Sequence, residues 1–188
     1  SDPFVVGDEP VLIARATGCL VTVGPDRVIA AQSLLDREEV DVLLCDDGLQ
    51  HHGLGRDFEI AVVDGRRGLG NGICLPAGPL REPEARLHTV DVVLVNGAGE
   101  WQYPNALTLS LVPRRVYPLT GGLERSLADF RGERVHAVAG IGNPQRFFEL
   151  LEESGLVVTG HPHADHARLE PEDLQFRDKL PILITEKD

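Results

Sequence analysis

The sequence predicts an α/β fold: a parallel sheet covered on both faces, followed by a smaller second α/β unit. Three observations predict it. Short apolar runs alternate with helix-like stretches along the 188 residues. The strongest runs are continuous rather than alternating, as in strands buried on both faces. Several of them also end in a polar residue followed by glycine, and such sheets carry their sites outside the carboxyl ends of the strands.

Taken in order, Pro10–Ala14 and Leu20–Val23 read as strands. Asp26 to Glu39 reads as a helix, with Val28, Ile29, Leu34 and Leu35 as its apolar positions and Asp26 as its N-cap. Val40–Cys45 reads as a fully buried strand ending in Asp46-Asp47. Glu59–Val63 and Asp91–Val95 are the next strands, ending in Asp64-Gly65 and Asn96-Gly97. Asp46, Asp47, Asp64 and Asn96 are therefore expected along one edge. After Trp101 the texture changes. Ala106–Val112 and Arg114–Leu119 flank Pro113 and suggest an antiparallel pair. Strands are predicted at Val135–Ala139, Leu156–Thr159 and Ile182–Thr185, and helices at Asn143–Ser154 and Pro171–Asp178. This gives a core over 1–119 and a smaller lobe over 120–188.

Composition narrows the function. Hydrophobic residues make up 42% of the chain, enough to bury a core. Eighteen basic against thirty acidic residues give a net charge of -12, which argues against DNA or RNA as a partner. An anionic ligand would have a basic patch to meet if Arg66, Arg67, Arg81 and Arg86, close together in sequence, cluster in the fold; taken singly, each reads as a solvated surface arginine. Cys19, Cys45 and Cys74 form no C-x-x-C pair and are expected as buried free thiols in a reducing cytosol. No signal peptide is expected, and no run approaches the roughly 18 apolar residues that span a bilayer. The chain contains no methionine, so it is expected to be a piece of a longer product.

The strongest chemical signal is the run from Val42 through Asp46, Asp47, Gly48, Leu49, Gln50 and His51 to His52. An apolar strand ending in a carboxylate is the arrangement that holds hydrated Mg²⁺ on a nucleotide. A bare Asp-Asp-Gly is equally an ordinary turn. Gln50 and His51 add two polar groups to the same turn and favour function. A long Gly/Pro stretch follows, from Arg66 to Gly72 and from Leu75 to Pro83. Long irregular stretches in compact domains tend to be functional. In it Arg81 can stabilise charge on a transferring phosphoryl group and Glu82 can reach a metal. Asp8, in Gly7-Asp-Glu-Pro10, is a possible general base, or simply an exposed turn carboxylate.

His161-Pro-His163-Ala-Asp165-His166 matches H-x-H-x-D-H, the ligand run of metallo-β-lactamase-fold hydrolases. Those enzymes need further ligands downstream. Only 22 residues follow His166 and none is histidine, so the match reads mostly as coincidence. A metal-dependent hydrolase stays as an alternative, as does a non-catalytic binding module. Asp165-His166 alone would be a carboxylate-oriented imidazole able to act as a base. Gly140-Ile-Gly142 lacks the third glycine of a dinucleotide fingerprint, and no G-x-x-x-x-G-K-[ST] occurs.

The string from Asp46 to Pro83 closely resembles the signature of the tetraacyldisaccharide 4'-kinase family. Gly7–Arg15, Val23–Arg27, Ala137–Phe148, His163–His166 and Ile182–Asp188 are similar to it too, in family order. The resemblance implies a P-loop NTPase-like parallel-sheet core with a smaller second lobe, and ATP and Mg²⁺ as cofactors. It implies transfer of the γ-phosphate to the 4' hydroxyl of a lipid-linked tetraacyldisaccharide 1-phosphate, giving lipid IVA in lipid A biosynthesis. In that pattern Asp8 and His166 pair across an inter-lobe cleft to activate the hydroxyl. Asp46 and Asp47 serve the metal, with Gln50 and His51 in the same polar cluster. Arg81 and Glu82 face the phosphates and the metal. The family works at the cytoplasmic face of the inner membrane, and its members carry an apolar N-terminal helix and a Walker A loop ahead of the Gly7–Pro10 segment. Without that helix the present chain is expected to be soluble, and without that loop to bind ATP poorly and to turn over slowly or not at all.

Overall fold

The structure, a computed structural model, describes residues 3–113, 115–165 and 167–188. It forms two compact units. One is continuous, Val21–Val112; the other combines Ser1–Leu20 with Pro113–Asp188. The second boundary lies near the expected division at 119/120. The joining of residues 1–20 to the C-terminal part was not anticipated.

In the Val21–Val112 unit, helix α3 (Arg27–Leu35) starts as its sequence dictates. The Asp26 side chain caps it by accepting from Val28 N at 2.8 Å and Ile29 N at 3.1 Å. A three-stranded sheet follows, built from β1 (Ile60–Asp64), β2 (Val92–Asn96) and β3 (Leu107–Leu109). All its pairings are parallel in the order β1-β2-β3, with Asp64 opposite Asn96. The carboxyl ends of β1 and β2 therefore bring these two polar residues side by side, as expected. Between them the Gly/Pro stretch folds on itself. Leu75 N donates to Leu80 O at 2.8 Å, and Asn71 Nδ2 donates to Ala77 O at 2.9 Å. A 3-10 turn over Glu84–His88 closes it.

In the other unit, α1 (Pro3–Val6) is followed by α2 (Asp8–Thr17). The antiparallel pair β4 (Arg115–Val116) and β5 (Arg125–Ser126) leads to a 3-10 turn at Leu127–Phe130. Strand β6 (Arg134–Ala139) then lies between β7 (Val157–Pro162) and β8 (Ile182–Ile184), parallel to both. As the central strand it is buried on both faces: Val135, Ala137, Val138 and Ala139 are all fully buried. This is why its sequence runs apolar without alternation. Helix α4 (Pro144–Glu153), capped by Asn143, packs Phe148 and Leu151 into the core with Leu127, Phe130, Leu156 and Leu183. Gly160 lets Phe148 lie against β7, since a Cβ there would stand 2.6 Å from the ring.

Several expectations are corrected. Pro10–Ala14 is helical, inside α2. A short apolar run does not distinguish strand from helix, and the preceding Asp8-Glu9 and Pro10 are first-turn helix signals. Leu20–Val23 forms no strand. Val40–Cys45 forms none either and is not buried, with Val42 72% and Leu44 94% exposed. A strand needs neighbours to satisfy its backbone N–H and C=O groups, and no described strand pairs with this segment. The expected antiparallel pair around Pro113 is replaced by two separate pairings: β3 adds in parallel to β2, and β4 meets β5. Arg114 lies outside the described residues. The Pro171–Asp178 helix shortens to a 3-10 turn, Pro171–Leu174. The cysteines are not buried: Cys19 and Cys45 are exposed and Cys74 is partly so.

Candidate functional site

In the Val21–Val112 unit the predicted residues 46–51 form a tight turn. Asp47 takes a left-handed conformation, φ 49°, which aspartate tolerates, and His51 N donates to Gly48 O at 3.0 Å. The turn is braced by Arg56. Its guanidinium donates to the carbonyls of Gly48, Leu49 and His51 at 3.2, 3.1 and 3.0 Å. Glu59 Oε1 in turn accepts from Arg56 Nη1 at 2.8 Å and from Arg86 Nη2 at 2.5 Å. The Arg86 hydrogen bond holds the Glu59 carboxyl below the usual carboxylate range.

On this brace the residues picked out by sequence are linked in series. Arg81 Nη1 donates to both oxygens of Asp47, at 2.9 and 2.7 Å, and approaches Gln50 Oε1 at 3.4 Å. The Asp47 hydrogen bond raises Arg81 above the ordinary arginine value. Gln50 Nε2 donates to Glu82 Oε2 at 2.8 Å. Glu82 Oε1 lies 3.5 Å from His52 Nε2 and 3.7 Å from Arg86 Nε. The structure thus joins Asp47, Gln50, Arg81 and Glu82 in one polar chain. His52, the residue after His51, approaches Glu82. Asp46 is exposed at the start of the turn.

The fit to magnesium follows from this geometry. Among the described residues no three His, Cys, Asp or Glu side chains stand together to enclose an ion. Magnesium on a nucleotide needs only one or two carboxylates, with water and phosphate oxygens completing its shell. Asp46 and Asp47, exposed and adjacent, fit such an open site. Asp47 would first have to leave Arg81.

The second group of polar residues lies at the carboxyl edge of β7-β6-β8. Asp188 Oδ1 accepts from Gly140 N at 2.8 Å, just past β6. Lys187 Nζ, on the segment after β8, lies 3.2 Å from Glu9 Oε1, 3.7 Å from Asp8 Oδ2 and 4.0 Å from Asp165 Oδ1. Partial burial pulls this ammonium down, but the Glu9 hydrogen bond and the charges of Glu9, Asp8 and Asp165 outweigh it, so Lys187 stays above the ordinary lysine value. Asp8 therefore belongs to the same unit as Asp165, rather than to the core lobe. His166, expected as its partner, lies outside the described residues.

The described residues of the histidine run do not assemble a hydrolytic centre. His161 points to the buried His136, Nε2 to Nδ1 at 2.9 Å, and His136 Nε2 bonds Asp178 Oδ1 at 2.9 Å. Phe176 stacks on the His136 ring at 3.8 Å. Sequence reasoning missed this cluster, although a histidine inside an otherwise apolar strand was a signal. It also missed Lys187, Arg56, Glu59 and Arg86. Lys187 carried one clue, its position just past the carboxyl end of a strand.

Comparison with known proteins decides the family. The family model described as tetraacyldisaccharide-1-P 4'-kinase matches residues 1–188. The chain belongs to this family. A tetraacyldisaccharide 4'-kinase of Nitrosococcus oceani is 53% identical over 191 residues, covering 100% of this chain and 55% of the relative. One of Pseudomonas putida is 50% identical over 183 residues, covering 97% and 54%. The chain thus spans about half the length of the curated tetraacyldisaccharide 4'-kinases it matches. LpxK from Aquifex aeolicus, crystallised in complex with ATP, superposes with a TM-score of 0.66 at 23% identity, over 97% of this chain and 58% of that one. That likeness supports the α/β, P-loop-like fold. Among the described residues no helix is long and apolar enough to cross a membrane.

Proposed function

We propose that this chain supplies part of the catalytic machinery of an ATP-dependent kinase that phosphorylates the 4' hydroxyl of a tetraacyldisaccharide 1-phosphate. The supporting observation is the family match along all 188 residues, at about half identity to kinases so named. No feature of the described residues favours a metal-dependent hydrolase.

In this reading Asp46 and Asp47 are the carboxylates that hold the nucleotide's magnesium, and Glu82 stands by to orient its water. Held there, magnesium would supply positive charge to offset the charge that develops on the phosphate. Arg81 rests on Asp47. Both side chains are more than half exposed, and an exposed pair of this kind contributes at most about 1 kcal/mol. Arg81 can therefore exchange Asp47 for a phosphate at little cost. Gln50 spaces Arg81 from Glu82, and His51 completes the turn. Asp8, with His166, takes the proton from the sugar hydroxyl as it attacks. In this reading the reaction takes place at the cytoplasmic face of the inner membrane, as the family resemblance implies.

The test is transfer of γ-labelled phosphate from ATP to a tetraacyldisaccharide 1-phosphate, using a family-length protein that contains these 188 residues. Labelled product that disappears with Asp46→Asn supports the proposal. No product from a folded protein with ATP and magnesium present overturns it.

A further inference from the structure

We propose that Lys187 is a positioning residue that fixes and keeps ionised the carboxylate of Asp8; this rests on the reading of Asp8 as the base of the kinase.

The argument begins with chain separation. Asp8 opens α2, and Lys187 lies 179 residues later, just past β8. Residues so far apart meet only because α2 belongs to the same compact unit as the β7-β6-β8 sheet. Lys187 Nζ joins the first turn of α2 to the segment after β8, at 3.2 Å from Glu9 and 3.7 Å from Asp8. The Lys187 side chain is only 18% exposed, so its charge is screened less than that of a surface lysine.

Three carboxylates face this one ammonium: Asp8 and Glu9 from the first turn of α2, and Asp165 from the segment after β7. Asp188, the next residue, is turned away onto Gly140 N and Thr185 Oγ1. Without the lysine, the Asp8 carboxylate would keep the like charges of Glu9 and Asp165 nearby and lose the ammonium 3.7 Å from its Oδ2. Like charges favour the protonated form of a carboxyl group, and an adjacent cation favours the ionised form. A general base acts only when ionised and within reach of its proton. Lys187 supplies both conditions without touching the substrate.

Lys187→Gln removes the charge and keeps a hydrogen-bond donor; Lys187→Arg keeps the charge. Two readouts apply. The first is titration of the Asp8 side-chain carboxyl by carbon-detected NMR in the 188-residue chain, which needs no catalysis. In Lys187→Gln, Asp8 is expected to titrate at higher pH than in the parent, and in Lys187→Arg to stay near it. The second is the pH profile of kcat in the family-length kinase. Lys187→Gln is expected to lower kcat roughly tenfold to a hundredfold and to move the acid limb to higher pH, with KM for ATP unchanged and Lys187→Arg restoring most of the rate. An Asp8 titration unmoved by Lys187→Gln overturns the proposal, as does an unmoved acid limb in an active kinase. If Asp8 moves but the parent transfers no phosphate, the kinase reading fails and the Lys187–Asp8 coupling stands.

Discussion

Arg81 holds Asp47 through two short hydrogen bonds, yet both side chains are largely in water. Such a pair adds little to folding, and the role proposed for Arg81 is to meet phosphate. Arg81→Ala should change unfolding free energy by less than about 1 kcal/mol and reduce phosphoryl transfer roughly a hundredfold. Denaturant titration beside a transfer assay separates the two. A large stability loss, or an unchanged rate, would contradict this role. The His136 cluster makes a different prediction. Burial first, then the charges of His136 and His163, hold the His161 imidazole below its ordinary value of 6.5. The unfolded chain therefore takes up a proton near 6.5 that the folded chain refuses. Asp178, which the His136 hydrogen bond holds below the usual range, adds a loss at lower pH. Stability should fall as pH drops from 7 toward 5, and His161→Gln should make that fall shallower. Thermal unfolding measured across this range checks it; an equally steep fall in the variant would contradict it.

At the scale of elements, β6, β7 and α4 behave as one packed layer. Phe148 of α4 lies over β7 at Gly160, with no room for a methyl group between them. Gly160→Ala should cost about 1–3 kcal/mol through overpacking, seen as a lower midpoint in chemical denaturation with an unchanged slope. Elements of this unit were the most legible in the sequence. Val135–Ala139 is continuous and apolar because it becomes the central strand, and Asn143-Pro144 opens α4 with an N-cap and a first-turn proline. The failures are equally physical. Pro10–Ala14 has strand-like composition, but the helix-start signals ahead of it decided the outcome. Val40–Cys45 has the composition of a buried strand and finds no ladder partner among the described residues. Composition states what a segment can bury; pairing depends on which neighbours the fold supplies.

The whole molecule is two compact units, and the polar residues named from sequence fall into both. Asp46, Asp47, Gln50, His51, Arg81 and Glu82 lie in one, Asp8 in the other. Local spacing revealed the first set because 46–51 is one turn and Arg81-Glu82 is one loop. It did not reveal that Arg56, Glu59 and Arg86 brace that turn, because bracing is a property of the folded loop. Nor could spacing pair Lys187 with Asp8 across 179 positions. The family pattern supplied the roles; the geometry supplied the partners. The central claim is that Asp8 acts as base in phosphoryl transfer to a sugar hydroxyl. The most direct test is the rate of ATP-dependent transfer by a family-length protein bearing Asp8→Ala, beside its parent, with folding followed by circular dichroism. The account predicts a loss of roughly 10²- to 10⁴-fold at unchanged fold; a folded variant that transfers phosphate at the parental rate would contradict it.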